Sequence, residues 1–337
     1  MNKRQRVMAA IEHRDPDMVP WQMDCTHQQL EKMILHTGDP LFAEHVGNHI
    51  QSVYFDGYLE EMPDRPGYFK DDFGVLWNRN GADKDIGMIV GTVLPEPEIA
   101  DIRMPRIQEQ RLRAAYQAMS ESKADTFRFG SIGFSLFERA WTLRGMENFL
   151  SDMLTEPDFA DALLDAICDF NIRVMDLALE YPMDGFHFGD DWGQQKGLIM
   201  GPRLWRRFIK PRLARMYGHA KSKGLKVSQH SCGDIGEVFP DLIDIGLDVY
   251  QTFQPEIYDL HYVKKEYGKY LTFNGGISTQ RLLPFATPEE VRAKTRETIS
   301  IMRPGGGYIV SPTHSVPGDV PPENLMAMLD VIKNQDF

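Results

Sequence analysis

The chain has 337 residues, 42% of them hydrophobic and 26% charged, enough for one large core or for two smaller ones. Its formal net charge is −12, and no cluster of Lys and Arg interleaves with aromatic residues, so the electrostatic footprint of a nucleic-acid binder is missing. Three cysteines are too few for a disulfide framework, and the opening MNKRQRVMAAIEHRDPD has no apolar run fit for a signal peptide or a membrane span; a cytoplasmic protein without a membrane partner is expected.

In chain order, short apolar segments that read as buried parallel strands occur at 18-MVPWQM-23, 50-IQSVYF-55, 126-TFRFGSI-132, 185-GFHFGD-190, 225-LKVSQH-230, 247-LDVYQTF-253, 271-LTFNGG-276 and 307-GYIVSPT-313. Between them lie stretches with helical spacing, such as 157–182 and 202–224, bounded by proline or glycine. Eight strands alternating with helices predict a (β/α)₈ TIM barrel, an α/β fold with its active site at the carboxyl ends of the strands. A doubly wound sheet is the competitor, but the turn after the first strand, 23-MDCTHQQL-30, lacks the glycines of a nucleotide-binding loop. Residues 58–124 interrupt the alternation, and 72–96 reads as a β-hairpin-like excursion turning at Asn80-Gly81. The expectation is one domain over 1–337, with 58–124 inserted at the barrel rim.

Residues just past each strand share the mouth of such a barrel. His230 and Cys232 are separated by one residue at a strand end, where an irregular turn can aim a ring nitrogen and a thiol at one point; a partly buried histidine beside a packed cysteine has the same spelling. A third ligand decides between them. His314 follows the last strand and faces the fifth across a closed barrel, so His230, Cys232 and His314 form a His₂Cys set suited to Zn²⁺ with one position open for substrate. Asp190, Asp191, Asp234 and Asp319, with Trp21, Trp192, Tyr250 and Phe253, read as an acidic and aromatic mouth that favours a neutral or cationic methylated ligand over a polyanion. Asn274 with Gly275-Gly276 reads as close backbone approach to a ligand or as a tight turn, and His187 as an interior histidine. Cys25 and His27, after the first strand, carry no distinguishing pattern.

The order H-x-C (230–232), then 307-GYIVSPTH-314, then 321-PPENL-325 opening the last helix resembles the uroporphyrinogen decarboxylase superfamily, nearest its zinc-dependent corrinoid and coenzyme M methyltransferase-like branch. The resemblance implies a methyltransferase that moves a methyl group between a small methylated substrate or thiol and a corrinoid carried on a partner protein. It implies Asp191 as the catalytic residue, because an acidic residue beside tryptophan closes that strand in the family. From the residues themselves, Trp192 reads as a substrate wall or equally as rim packing, and Gln194 as a hydrogen-bond partner for a polar substrate. Two departures stand out: His314 falls where the family has cysteine, and 23-MDCTHQ-28 has no arginine where true decarboxylases grip carboxylates. Decarboxylation of a tetrapyrrole is therefore the second reading, and a non-catalytic protein holding a metal the third.

Overall fold

The computed structural model describes residues 1–81, 85 and 87–336. Seven parallel strands form one sheet: β1 (Ile50–Phe55), β2 (Phe127–Ile132), β3 (Gly185–Gly189), β4 (Lys226–His230), β5 (Val249–Phe253), β6 (Thr272–Ile277) and β7 (Tyr308–Pro312), in that spatial order. All seven correspond to segments expected from the apolar runs.

The eighth position is held differently. Within 18–23 only Trp21 makes a ladder-type bridge, to Val310 in β7. Pro20 has no N–H to give, and the Trp21 N–H goes instead to Nδ1 of His49 at 3.1 Å. Its neighbours still tie both edges together: Val310 N–H donates to Pro20 O at 2.9 Å, Gln22 N–H to Val310 O at 3.2 Å, and His49 N–H to Trp21 O at 3.0 Å. The ring of an α/β barrel thus closes through a segment too short to be a strand.

Side chains alternate across each strand, and in-register partners of parallel strands share a face. At the amino-terminal end, Ile50, Phe127, Phe129, Val249 and Ile309 pack with Val7, Ala10 and Ile11 of the first helix, Lys3–Ile11, which plugs the barrel from below. That helix starts on a capping box in which Asn2 and Gln5 satisfy each other's backbone N–H. Higher up, His187 donates or accepts at Ser228 Oγ, 2.9 Å away, and lies edge-on to Tyr54. The inward face thus turns from apolar to polar toward the carboxyl end.

Helices cover the outside. The helix Pro157–Ala178 is continuous, whereas 201–222 carries a π turn at Trp205–Ile209, just before Pro211. Proline cannot donate to a helical carbonyl and crowds the turn before it, so one wider turn relieves the clash. Between β1 and β2, Leu59–Glu61, Tyr68–Asp71, Leu76–Asn78 and Met88–Val90 form a four-stranded antiparallel sheet, and helix Glu109–Glu121 returns the chain to β2. The pairing of 76–78 with 88–90 makes the hairpin whose turn was expected at Asn80-Gly81; residues 82–84 and 86 of the connection lie outside the described residues. No helix among the described residues is long and apolar enough to cross a membrane.

Candidate metal centre

His230 ends β4, Cys232 follows in the irregular turn, and His314 follows β7. One ligand atom from each lies within 4.8 Å of the others. Cys232 Sγ is 3.4 Å from His230 Nε2, and the His230 and His314 rings meet edge-on with centroids 5.9 Å apart. Ligands held tetrahedrally about 2.0–2.3 Å from a zinc ion stand about 3.3–3.8 Å from one another; the Cys232–His230 separation falls in that range, and the 4.8 Å bound on the set leaves at most about 1 Å for the ligands to draw in.

The surroundings orient these donors. His230 Nδ1 donates to the Gln251 side-chain carbonyl, which leaves Nε2 facing Cys232 and Asp191, as a ligating histidine requires. Asp191 Oδ1 accepts the Cys232 N–H at 2.7 Å and lies 3.3 Å from His230 Nε2. Burial opposes a charged imidazole, yet Cys232 and Asp191 together hold His230 well above the ordinary histidine pKa. Burial would likewise raise Asp191, but the hydrogen bond to His230 and its charge pull it below the usual range. These groups form one electrostatic unit.

Asp190 points the other way. Fully buried, its carboxyl accepts N–H bonds from Leu136 at 3.2 Å, Phe137 at 3.0 Å and Glu138 at 2.8 Å, capping the helix Phe137–Arg144 from a neighbouring strand. It also accepts Trp192 Nε1 at 2.5 Å. Trp192 is therefore no wall of the mouth: it is fully buried and its ring meets Trp205, in the π turn, at 5.4 Å. Three other aromatics grouped with it, Trp21, Tyr250 and Phe253, are also buried, Tyr250 donating outward to Ser231 O and Phe253 stacking on Tyr258. For Tyr250 the reason is parity: it faces the helices because Gln251 beside it faces inward. Phe253, two positions on from Gln251, reaches the same side across the register shift between Gln251 and Phe253.

Gln194 is exposed on the loop after β3, its backbone carbonyl accepting the Asp234 N–H at 2.8 Å. Asp234 serves its own turn by accepting the Gly236 N–H. Asn274 is buried on β6, in register with Gln251, and its Oδ1 has no hydrogen-bond partner among the described residues. Cys25 stays a neutral thiol, pushed up to about 12 by burial and by Asp24. Three mouth residues were not singled out from sequence. Tyr54 projects inward from β1, in register with Ser131 and His187, yet remains 63% accessible. Gln251 holds His230. Glu138, in the first turn of its helix, is raised above the ordinary carboxyl range by burial and by Asp191 and Asp190. Inward parity at strand ends was the available signal for Tyr54 and Gln251 alike.

The fold is an α/β barrel, and the candidate site lies at the carboxyl mouth of its strands. The profile of the family described as Uroporphyrinogen decarboxylase (URO-D) matches residues 78–335, and the chain belongs to that family. A curated relative, methylated-thiol–coenzyme M methyltransferase of Methanosarcina mazei, is 27% identical over 197 residues, covering 58% of this chain and 50% of the relative. The match thus spans half of that relative's length. A solved methyltransferase from Methanosarcina mazei superposes with a TM-score of 0.73 over 99% of this chain and 98% of the other, at 17% identity, a likeness of fold.

Proposed function

We propose that the protein is a methyltransferase that holds zinc through His230, Cys232 and His314 and moves a methyl group between a small methylated substrate or thiol and a corrinoid carried by a partner protein. The observation that carries the reading is the approach of one thiol and two imidazoles within 4.8 Å at the mouth of the barrel. Bound there, zinc would supply Lewis acidity, lowering the pKa of a thiol or polarising a methylated heteroatom. The protein's own contribution is orientation. Gln251 fixes the His230 ring, and Asp191 ties the Cys232 backbone to the same ring. Alignment of a methyl carbon with its acceptor is a proximity effect that lowers barriers by about 7–11 kcal/mol in favourable cases. The relative's name supports methyl transfer involving thiols.

Decarboxylation of a tetrapyrrole has less support. Of the segments that follow the eight ring positions, 22–28, 54–61, 231–237, 254–259 and 313–319 contain no Lys or Arg, and the other three bring only Arg139, buried and ion-paired with Asp71, and the exposed Lys196 and Arg281, a thin supply of cations for a polycarboxylate. Protein purified without a histidine tag should carry about one zinc per chain, and Cys232→Ala should lose most of it. Undiminished zinc in that variant defeats the ligand assignment. With methylcobalamin in place of the corrinoid protein, methyl transfer to added thiols should be seen in the wild type and be lost in Cys232→Ala.

A further inference from the structure

The wall of the mouth facing His230 has a character of its own. Around a ring of eight positions, the closing segment at Trp21 stands four places from β4, hence across the barrel from His230. On that side lie Asp24 and, on adjoining β1, Tyr54. Asp24 is exposed and takes both its side-chain hydrogen bonds from Gln22 Nε2, at 3.3 and 3.1 Å. Tyr54 is an accessible ring among neighbours that surround it; burial, then the charge of Asp24, raises its hydroxyl pKa, while the charge of His230 lowers it. Tyr54 thus stands within electrostatic reach of both walls. Asn274, only 7% exposed on the inward face of β6, turns an unpartnered Oδ1 into the same interior. Leaving such an oxygen unbonded costs about 1–3 kcal/mol, which marks a place where a ligand or water completes it.

We propose that the space between this wall and β6 is a subsite for a cationic group, and that the thiol or methyl thioether handled by this chain carries an ammonium-type tail held by Asp24 and the Tyr54 ring on the wall and by the Asn274 carbonyl from β6, two ring places from the closing segment, while its sulfur lies at the metal ligands. The inference rests on the metal reading above for the position of the sulfur, and not for the tail. A carboxylate, an aromatic face and an amide oxygen are all attractive to a cation and unattractive to an anion. The segments 22–28 and 54–61 around them carry acidic residues and no Lys or Arg. A sulfonate or carboxylate tail would meet Asp24 unneutralised.

The test uses the full chain loaded with zinc and three short alkyl thiols of equal length, ending in trimethylammonium, hydroxyl or sulfonate, titrated calorimetrically. The trimethylammonium thiol should bind about tenfold tighter than the hydroxyl thiol, with the sulfonate weakest. Asp24→Asn and Tyr54→Leu should each remove most of that advantage and leave the hydroxyl thiol unchanged. Equal affinities across the three tails, a preference for sulfonate, or an advantage that survives both substitutions would overturn the subsite. A second arm separates this from the metal reading: in metal-stripped protein, choline should still outbind its uncharged carbon isostere, 3,3-dimethylbutan-1-ol. If that preference is present in a protein that takes up no zinc, the tail subsite stands and the metal reading fails. If zinc binds stoichiometrically and choline has no advantage, the subsite fails alone.

Discussion

Asp190 and Asp191 are consecutive, and a strand end sends them to opposite sides of the barrel wall. Asp190 does structural work, giving four hydrogen-bonding groups a buried acceptor. Asp190→Ala would leave three helix N–H groups and an indole N–H without a partner, so it should lower stability by about 3 kcal/mol or more in denaturant titrations. Asp191 touches His230 and the Cys232 N–H. Asp191→Asn should shift the unfolding midpoint little and weaken zinc binding by about 10- to 100-fold, as loss of a group that orients ligands does. The reverse pattern, with Asp191 governing stability and Asp190 governing metal affinity, would refute this division. Sequence grouped both at the mouth, although alternation at a strand end lets only one of the pair face it, and the family resemblance pointed to Asp191. It showed nothing of Asp190 as a cap, because the helix it caps begins more than fifty positions earlier in the chain.

At the scale of elements, apolar runs located seven strands because buried parallel strands are apolar on both faces and must stand out from polar connections. The eighth failed to form a full strand for a local reason, Pro20, and its place is secured by a side chain. His49 is fully buried, accepts the Trp21 N–H on Nδ1, and has no partner for Nε2 among the described residues. Burial, with the nearby charges of Arg6 and Lys3, pushes its pKa down to about 3. The unfolded state therefore takes up a proton near pH 6.5 that the folded state refuses. Stability is full above that pH and falls as pH drops toward the folded pKa, by about 2 kcal/mol per such histidine between pH 6.5 and 5. His49→Asn keeps an acceptor for Trp21 and removes the titration. Its stability should decline by about 2 kcal/mol less than the wild type's between pH 7.5 and 5, measured by urea midpoints; an unchanged decline would clear His49 of that role.

For the whole molecule, the barrel separates its tasks along its axis. What was legible in the sequence were residues with distinctive chemistry placed near strand ends: His230, Cys232 and His314 are drawn together from positions 84 apart because strands five and eight of the ring end at the same mouth. Less legible were Tyr54, Gln251 and Glu138, whose residue types are common and whose part depends on inward parity and on neighbours that only the closed ring supplies. The aromatic residues Trp21, Trp192, Tyr250 and Phe253 misled for the same reason, since a strand-end position does not say which face a side chain takes. At the opposite end, Val7, Ala10 and Ile11 close the barrel floor against Ile50, Phe127, Phe129, Val249 and Ile309. Ile11→Ala would open a cavity there and should cost about 2–5 kcal/mol of stability. Because several side-chain layers, including His187 and Ser228, lie between floor and mouth, the variant should bind zinc with unchanged stoichiometry and affinity at temperatures where it stays folded. Measured together, a lower unfolding midpoint with the same zinc Kd confirms that floor and mouth are energetically separate, as barrel enzymes place stability at one end and chemistry at the other. A parallel fall in zinc affinity would show instead that the plug helix holds the ligand geometry, and that closing the floor is part of building the metal site.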